Sequence, residues 1–565
     1  MNWDGFPDGT PSVADLLLGR ADDDAVAVVA EGDSWTWAES VGASAARAGL
    51  LGAFGDMDPP HVGVLLGNEP EYLFWLGAAA LAGAVVVGIN PTRRGAALAG
   101  DVRRTDCRIL VTDAEGAALL DGLDTGVPAE RVLRVDDPAY AEQVAGHAGR
   151  SAEDVVAGAA PSPGDLFLLL FTSGTTGDPK AVRCTQGRLA SIALRSAAAY
   201  GFDRSDVAYC TMPLFHGNAL MVLWGPSLVV GATVALARRF SASGFLPDVR
   251  RYGATTFTYV GKALAYVLAT PERPDDPGCT LRRGFGTEAS VADHAAFERR
   301  FGCVLTEGYG SSEGGVAISR VPGTPVGSLG ATTEDVVVID PVTLDECPPA
   351  EFDATGALVN GAAAIGEIVN RSGTGRFEGY YRAALATDAR TRRGWYWTGD
   401  LAYRDGDGYF YFAGRGGDWM RVDSENLTAG PIERLLVRFD DVATVAVYPV
   451  PDPRSGDQVM AAVELLPGHM FDPDRFARFL AAQDDLGTKW APAFVRVTGA
   501  LPQTASGKVT KGPLRRDGWW ACDDAVFRRL PGPDGSPTYS LFEPDAAGQL
   551  LEEFRRHGRN GLVGG

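Results

Sequence analysis

Positive charge is scarce in this chain, and so are paired cysteines, histidines and uninterrupted apolar runs. Lysine and arginine together number 51 against 72 aspartates and glutamates, giving a net charge of −21. That balance excludes nucleic-acid backbones and anionic membranes as principal partners. The seven cysteines (Cys107, Cys184, Cys210, Cys279, Cys303, Cys347 and Cys522) are scattered, odd in number and free of any C-x-x-C pair. This excludes a cysteine metal site and fits a reduced compartment. The opening "MNWDGFPDGTPSVADLLLGRADDD" is acidic and has neither the basic nor the apolar region of a signal peptide. A cytoplasmic location is therefore expected, and the sequons at Asn370 and Asn426 are read as chance.

A single stretch imitates a membrane span, Leu73 to Ile89, "LFWLGAAALAGAVVVGI". Its length lies at the lower limit for crossing a bilayer. After Gly83 it changes from Ala/Leu-rich to Val-rich, which predicts a buried helix followed by a buried parallel strand. Internal repeats and long low-complexity tracts are missing as well.

With 565 residues, 45% hydrophobic and 22% charged, the chain exceeds one core and reads as a folded, multidomain enzyme. From residue 60 to about 310, strand-like runs such as "HVGVLLG", "DLFLLLFTS", "DVAYCTMP", "ATTFTYVG" and "GCVLTEGYG" alternate with helical stretches such as 187–200 and 291–301. The alternation predicts α/β architecture with largely parallel sheets, whose ligands bind beyond the carboxyl ends of the strands. Past residue 325 the strands shorten, and "LAYRDGDGYFYFAGR" predicts a hairpin turning at Asp407-Gly408. Beyond Arg415-Gly416-Gly417 a smaller α+β pattern follows. The double glycine is apt for a hinge, because glycine adopts backbone angles that other residues resist.

What the chain does have, at the exit of the apolar run "LFLLLF", is the loop Phe171–Lys180, "FTSGTTGDPK". Its hydroxyls and N–H groups suit an anion, and a phosphate is the obvious candidate. The spacing is not that of a P-loop, since Pro179-Lys180 ends the loop and Ala181 stands where that motif needs a magnesium-binding hydroxyl.

Five motifs, "LFTSGTTGDPKAV", "PLFHGNA", "EGYGSSEG", "WYWTGDLAYRDGDGYFYFAGR" and "LPQTASGK", occur in order over nearly the whole chain. Together they resemble the adenylate-forming superfamily of acyl-CoA synthetases, peptide-synthetase adenylation domains and luciferases. "GRGGDWMRVDSENL" and the extension past Lys508 are similar to the fatty-acid-transport-protein and very-long-chain acyl-CoA synthetase branch. The resemblance implies a large domain over 1–414 made of α/β subdomains and a small β-barrel-like part. A hinge at 415–417 and a small mobile α+β domain over 418–565 complete the expected layout.

The resemblance also implies the chemistry. A carboxylate attacks the α-phosphate of ATP, pyrophosphate leaves, and coenzyme A displaces AMP from the acyl-adenylate. Such a reaction needs donors for pyrophosphate, a divalent cation and positive charge where negative charge develops. By family position, Thr172, Ser173, Gly174, Thr175, Thr176 and Gly177 wrap the β- and γ-phosphates, and Lys180 steadies their loop. Gly286, Thr287 and Glu288 form the adenine-side loop. Gly308, Tyr309, Gly310, Ser311 and Ser312 follow, with Tyr309 on adenine and Ser312 on the α-phosphate. Glu313 is expected to bind Mg2+, since a carboxylate among phosphates needs a bridging hard cation. Asp400 accepts from the ribose hydroxyls, with Arg415 assisting. Lys508 is the catalytic lysine of adenylation, and Lys511 is its nearest decoy.

His216, Asn218, Tyr259, Val260, Gly261, Lys262, Gly308 and Gly310 are expected near the acyl pocket. His216 reads as a gate or packing residue, because a carboxylate is already ionised and needs no base. The small glycines and the apolar "YVGKALAYVL" imply a fatty or bulky apolar acid. Coenzyme A is the expected acceptor; a carrier protein, an amine or another nucleophile is the alternative. A non-catalytic lipid-binding protein is a third reading, which the Thr172–Lys180 loop, Glu313, Asp400 and Lys508 oppose. At most peripheral membrane contact and a homodimer complete the expectations.

Overall fold

A computed structural model describes residues 9–55, 59–172, 179–260, 263–287, 289, 291–321, 323–353, 358–415, 419–422, 425–454, 456–483, 486, 489–504, 508–531 and 537–563. These divide into two compact units. The first runs to Ala317 and includes Thr374–Thr391; the second comprises Ile318–Gly373, Arg392–Thr504 and the residues from Lys508 onward.

The first unit contains β1 (Val26–Ala30), β2 (Asp33–Thr36), β3 (His61–Leu65), β4 (Val85–Gly88), β5 (Ile109–Thr112), β6 (Val132–Arg134), β7 (Leu166–Thr172) and β8 (Lys180–Thr185). Then come β9 (Val207–Cys210), β10 (Thr233–Leu236), β11 (Thr256–Val260), β12 (Arg283–Thr287) and β13 (Val304–Gly310). One sheet has the order β6-β5-β3-β4-β7-β8, parallel except for the β7–β8 hairpin. The other includes the run β13-β12-β11-β9-β10-β1-β2, parallel except for β2. The α/β expectation holds, and the strands are apolar runs because both faces are covered.

The stretch that imitated a membrane span is a helix, Pro70–Ala82, capped by Gly83 at φ +67° and followed by β4. Helix and strand are buried almost throughout, each large side chain contributing about 1.5–3 kcal/mol by leaving water. No helix among the described residues is long and apolar enough to cross a membrane.

After β14 (Ala317–Ser319), the second unit forms an antiparallel sheet from β15 (Val336–Ile339), β16 (Gly366–Asn370), β17 (Tyr396–Arg404) and β18 (Phe410–Arg415). The part expected to be barrel-like is this four-stranded sheet. Its β17–β18 hairpin turns at Asp405–Tyr409 as the Asp-Gly signal predicts. A short hairpin follows, β19 (Trp419–Val422) with β20 (Glu425–Thr428). The final sheet orders β21 (Val442–Pro451), β22 (Asp457–Leu465), β23 (Phe494–Thr498), β24 (Ala525–Pro531) and β25 (Pro537–Leu541) in sequence. The chain past Lys508 thus adds two strands and the helix Pro544–Arg556, whose Leu550 and Phe554 are buried in a cluster with Trp519.

Candidate functional site

In the first unit the candidate groups cluster where parallel strands end. Thr172 closes β7, Thr287 closes β12 and Gly310 closes β13. This is the edge at which α/β sheets bind ligands. Ser173–Gly177 lie outside the described residues, but the base of their loop is set. Thr172 and Lys180 are directly paired across the β7–β8 hairpin, with Thr172 Oγ1 3.5 Å from the Lys180 carbonyl oxygen.

The loop after β13 carries Ser311–Gly314, closed by the Gly314 amide donating to the Ser311 carbonyl at 3.0 Å. Gly314 sits at φ +70°, and a Cβ there would lie 2.8 Å from Arg188 Nη2. Arg188, in the first turn of the helix Gln186–Ala199, donates to the carbonyls of Ser312 and Arg183. The motif around His216 reaches the same loop: a Cβ on Gly217 would lie 3.4 Å from Ser312 Oγ.

Glu313 is 7% exposed and accepts a 3.0 Å hydrogen bond from the Tyr380 hydroxyl. Among the described residues no ion pair neutralises it. A buried carboxylate with one neutral donor is poised for a cation, so the residue fits the magnesium ion expected of it. No group of three or more His, Cys, Asp and Glu side chains gathers among the described residues. Magnesium on a nucleotide needs none, since one or two carboxylates and the phosphates suffice.

Tyr380 belongs to the segment Thr374–Thr391, which docks along β8. The Tyr381 amide donates to the Ala181 carbonyl at 2.8 Å, and the Arg183 amide to the Gly379 carbonyl at 3.1 Å. Glu378 accepts from the Thr185 amide at 2.8 Å and from its hydroxyl at 2.7 Å. The Arg376 amide donates to the Gly314 carbonyl at 3.2 Å, so the segment borders the Glu313 loop directly.

Ala289, in the loop expected on the adenine side, is tied to β13 through Glu307. Its Oε1 accepts from the Ala289 amide at 3.0 Å and from the Tyr259 hydroxyl at 3.3 Å. Glu288 lies outside the described residues. Gly284 and Gly286 let the rings of Phe257 and Tyr259 lie across β12, since a Cβ on Gly286 would fall 2.4 Å from the Tyr259 ring. Gly308 and Tyr309 lie half-buried in β13, and Gly310 ends it exposed.

Among the expected acyl-pocket residues, His216 stacks on Phe215 with ring centroids 4.4 Å apart. Asn218 Oδ1 is buried with no hydrogen-bond partner among the described residues, a condition native proteins seldom leave unexplained. Both precede a five-residue π-helix, Leu220–Trp224, a rare element that tends to occur at functional sites. Tyr259, 1% exposed, sits in the aromatic core, where the neighbouring cavity of about 10 Å³ holds at most one water. Of "YVGKALAYVL", only Ala263–Leu268 is helical; Tyr259 and Val260 end β11, and Gly261 and Lys262 lie outside the described residues.

The second unit holds Asp400, Arg415 and Lys508. Register places Asp400 directly opposite Arg415 across β17–β18. Gly399, at φ +72°, donates its amide to Glu367 Oε1 at 2.6 Å, and the Asp400 amide donates to Thr398 Oγ1 at 3.1 Å. Lys508 ends a small loop whose base is closed by the Thr504 amide donating to the Lys508 carbonyl at 2.7 Å. The decoy Lys511 is engaged, its Nζ 2.8 Å from Glu433 Oε1, which also accepts the Val447 amide. Gly416 and Gly417 lie outside the described residues.

Sequence reasoning missed Arg188, Glu307, Glu378 and Tyr380. Glu307 opens the motif "EGYGSSEG", and Glu378 and Tyr380 lie in "GRFEGYYR", a glycine-bounded aromatic pair in a polar stretch.

The family described as AMP-binding enzyme fits residues 19–381, and the AMP-binding enzyme C-terminal domain fits 431–508. A steroid-22-oyl-CoA synthetase of Rhodococcus jostii is 56% identical over 97% of this chain and 98% of its own length. A medium/long-chain-fatty-acid–CoA ligase, FadD17 of Mycobacterium marinum, is 48% identical over 92% of this chain and 98% of its own. Among solved structures, ATP-bound MatB from Rhodopseudomonas palustris superposes with a TM-score of 0.76 at 25% identity, covering 89% of this chain and 98% of that one.

Proposed function

The chain belongs to the AMP-binding enzymes, as an acyl-CoA synthetase of the adenylate-forming superfamily, and from that premise we propose that its acid is bulky and apolar, with a steroid-like skeleton. The activity is that of the family: ATP and magnesium convert a carboxylic acid to an acyl-adenylate with loss of pyrophosphate, and coenzyme A then takes the acyl group. The observation carrying the substrate class is the 56% identity, over nearly all of both chains, to a steroid-22-oyl-CoA synthetase. Apolar side chains of the π-helix Leu220–Trp224 and the absence of side chains at Gly308 and Gly310 support it.

The residues divide the work as follows. The carboxylate oxygen attacks the α-phosphorus while the bond to the β-phosphate breaks. Thr172–Gly177 and Lys180 hold the β- and γ-phosphates, and Ser312 contacts the α-phosphate. When bound, magnesium supplies positive charge among the phosphates, and Glu313 holds it. Tyr309 and the loop from Gly286 flank adenine. Asp400 and Arg415, opposite one another, take the ribose. Lys508 places positive charge between carboxylate and α-phosphate. The thiolate of coenzyme A then attacks the acyl carbonyl and AMP leaves. A large part over 1–414 and a small part over 418–565 turn about 415–417 between the two halves. That pivot falls between the two family segments and inside the second compact unit. A cytoplasmic location fits an ATP- and CoA-dependent ligase.

ATP–pyrophosphate exchange across steroid side-chain acids, C8–C18 fatty acids and aryl acids tests the substrate class. Steroid acids should show the highest kcat/KM, by about tenfold or more, since each buried methylene is worth about 0.8 kcal/mol. A fatty acid exceeding every steroid acid would sink the proposal.

A further inference from the structure

Two candidate groups of the phosphate site converge on one tyrosine. Tyr380 is 5% exposed and its backbone bridges to Val182 of β8. Its hydroxyl donates to Glu313 Oε1 at 3.0 Å and accepts from Arg390 Nε at 3.4 Å. Lys180 Nζ stands over the ring, 5.6 Å from its centroid, while Phe377 packs edge-on with centroids 5.0 Å apart. One side chain therefore offers an aromatic face to the lysine and a hydroxyl proton to the carboxylate. Among the described residues no ion pair joins Lys180 to Glu313.

We infer that Tyr380 is a positioning residue that stands between Lys180 and Glu313, prevents their mutual neutralisation and orients the carboxylate toward the metal–nucleotide. This rests on the reading of Lys180 and Glu313 given above. Opposite charges at the edge of a buried site attract strongly, and a direct pair would occupy the oxygens and the ammonium that the nucleotide needs. A neutral donor does not compete with a divalent cation for the second carboxylate oxygen. It fixes the carboxylate's rotation, as outer partners of metal ligands do. The hydroxyl has one proton to give, and the geometry directs it to the carboxylate while Arg390 Nε donates to a lone pair. Its backbone, bound to β8, makes the β7–β8 hairpin the frame for both contacts.

The test uses the full chain with Mn2+ and α,β-methylene-ATP, reading bound Mn2+ by electron paramagnetic resonance and folding by thermal melting. Tyr380→Phe keeps the ring and removes the hydroxyl, and should raise the Mn2+ dissociation constant about tenfold. The KM for ATP should stay within about twofold, because the cation–ring contact survives. Tyr380→Leu should weaken Mn2+ binding equally and raise the ATP KM as well. Both variants lack the hydroxyl, so either one, if folded, tests the metal arm. Glu313→Gln should weaken Mn2+ binding further, and adding Tyr380→Phe to it should make nothing worse. Wild-type Mn2+ affinity in a folded Tyr380 variant, with Glu313→Gln still impaired, overturns the inference about Tyr380. Wild-type affinity in Glu313→Gln overturns the reading of Glu313 on which it rests.

Discussion

The two compact units hold their candidate groups by different means. In the first, Ser312, Glu313 and Ala289 are fixed by side chains arriving from far along the sequence: Arg188, Tyr380 and Glu307. In the second, strand register sets Asp400 opposite Arg415, Glu367 holds the neighbouring Gly399 amide, and a backbone bond from Thr504 meets Lys508. Side-chain struts from several elements build a rigid binding surface whose loops cannot shift one at a time. Backbone ladders instead set a group's position through the register of the strands that carry it.

The largest expected effect probes the locally held group. Lys508→Ala should lower acyl-adenylate formation by about 10²-fold or more, the scale of losing one positioned electrostatic group. Thioester formation from supplied acyl-adenylate should survive. Lys511→Met, which breaks the ion pair to Glu433, should leave both halves within about threefold, because partly exposed pairs contribute little. Equal damage from the two lysines would erase the distinction drawn here.

Next comes the strut in the first unit. Arg188→Leu leaves the carbonyls of Ser312 and Arg183 without their donor in a buried setting. It should cost about 2–6 kcal/mol in urea melting, at about 1–3 kcal/mol per orphaned group. The KM for ATP should rise while thioester formation from acyl-adenylate changes less. If the ATP KM stays at the wild-type value, the loop after β13 does not depend on this arginine.

These outcomes bear on what the sequence made legible. The α/β alternation, the break at Gly83 and the Asp407-Gly408 hairpin were readable, because each carries a local pattern of periodicity or turn chemistry. Arg188 and Tyr380 were not. Arg188 meets Ser312 across 124 positions, and Tyr380 meets Glu313 across 67. A contact made by tertiary folding leaves no spacing to read. Tyr259 shows the same limit from the other side: its place beside a motif gave no sign that its ring joins the aromatic core of β11 and its neighbours.

The smallest effect concerns Glu69, which precedes the helix Pro70–Ala82 without capping it through its side chain. Burial, then the Asp113 charge, pushes its carboxyl up to about 7, and Oε1 is buried with no partner among the described residues. A folded-state value above the unfolded one means stability is greatest below the ordinary carboxylate range and is lost as pH rises through about 7. Glu69→Gln should therefore melt higher than wild type at pH 8.5, and the gap should close by pH 5. A pH-independent gap would assign the effect to something other than ionisation.

The glycines of β12 carry a consequence for behaviour on heating. Because Gly284 and Gly286 admit the rings of Phe257 and Tyr259, and Tyr259 reaches Glu307, which holds Ala289, the residue described after β12 and the aromatic core share one strut. Nucleotide affinity should hold nearly level as temperature climbs and then collapse together with the fold, so that heat inactivation is abrupt rather than gradual.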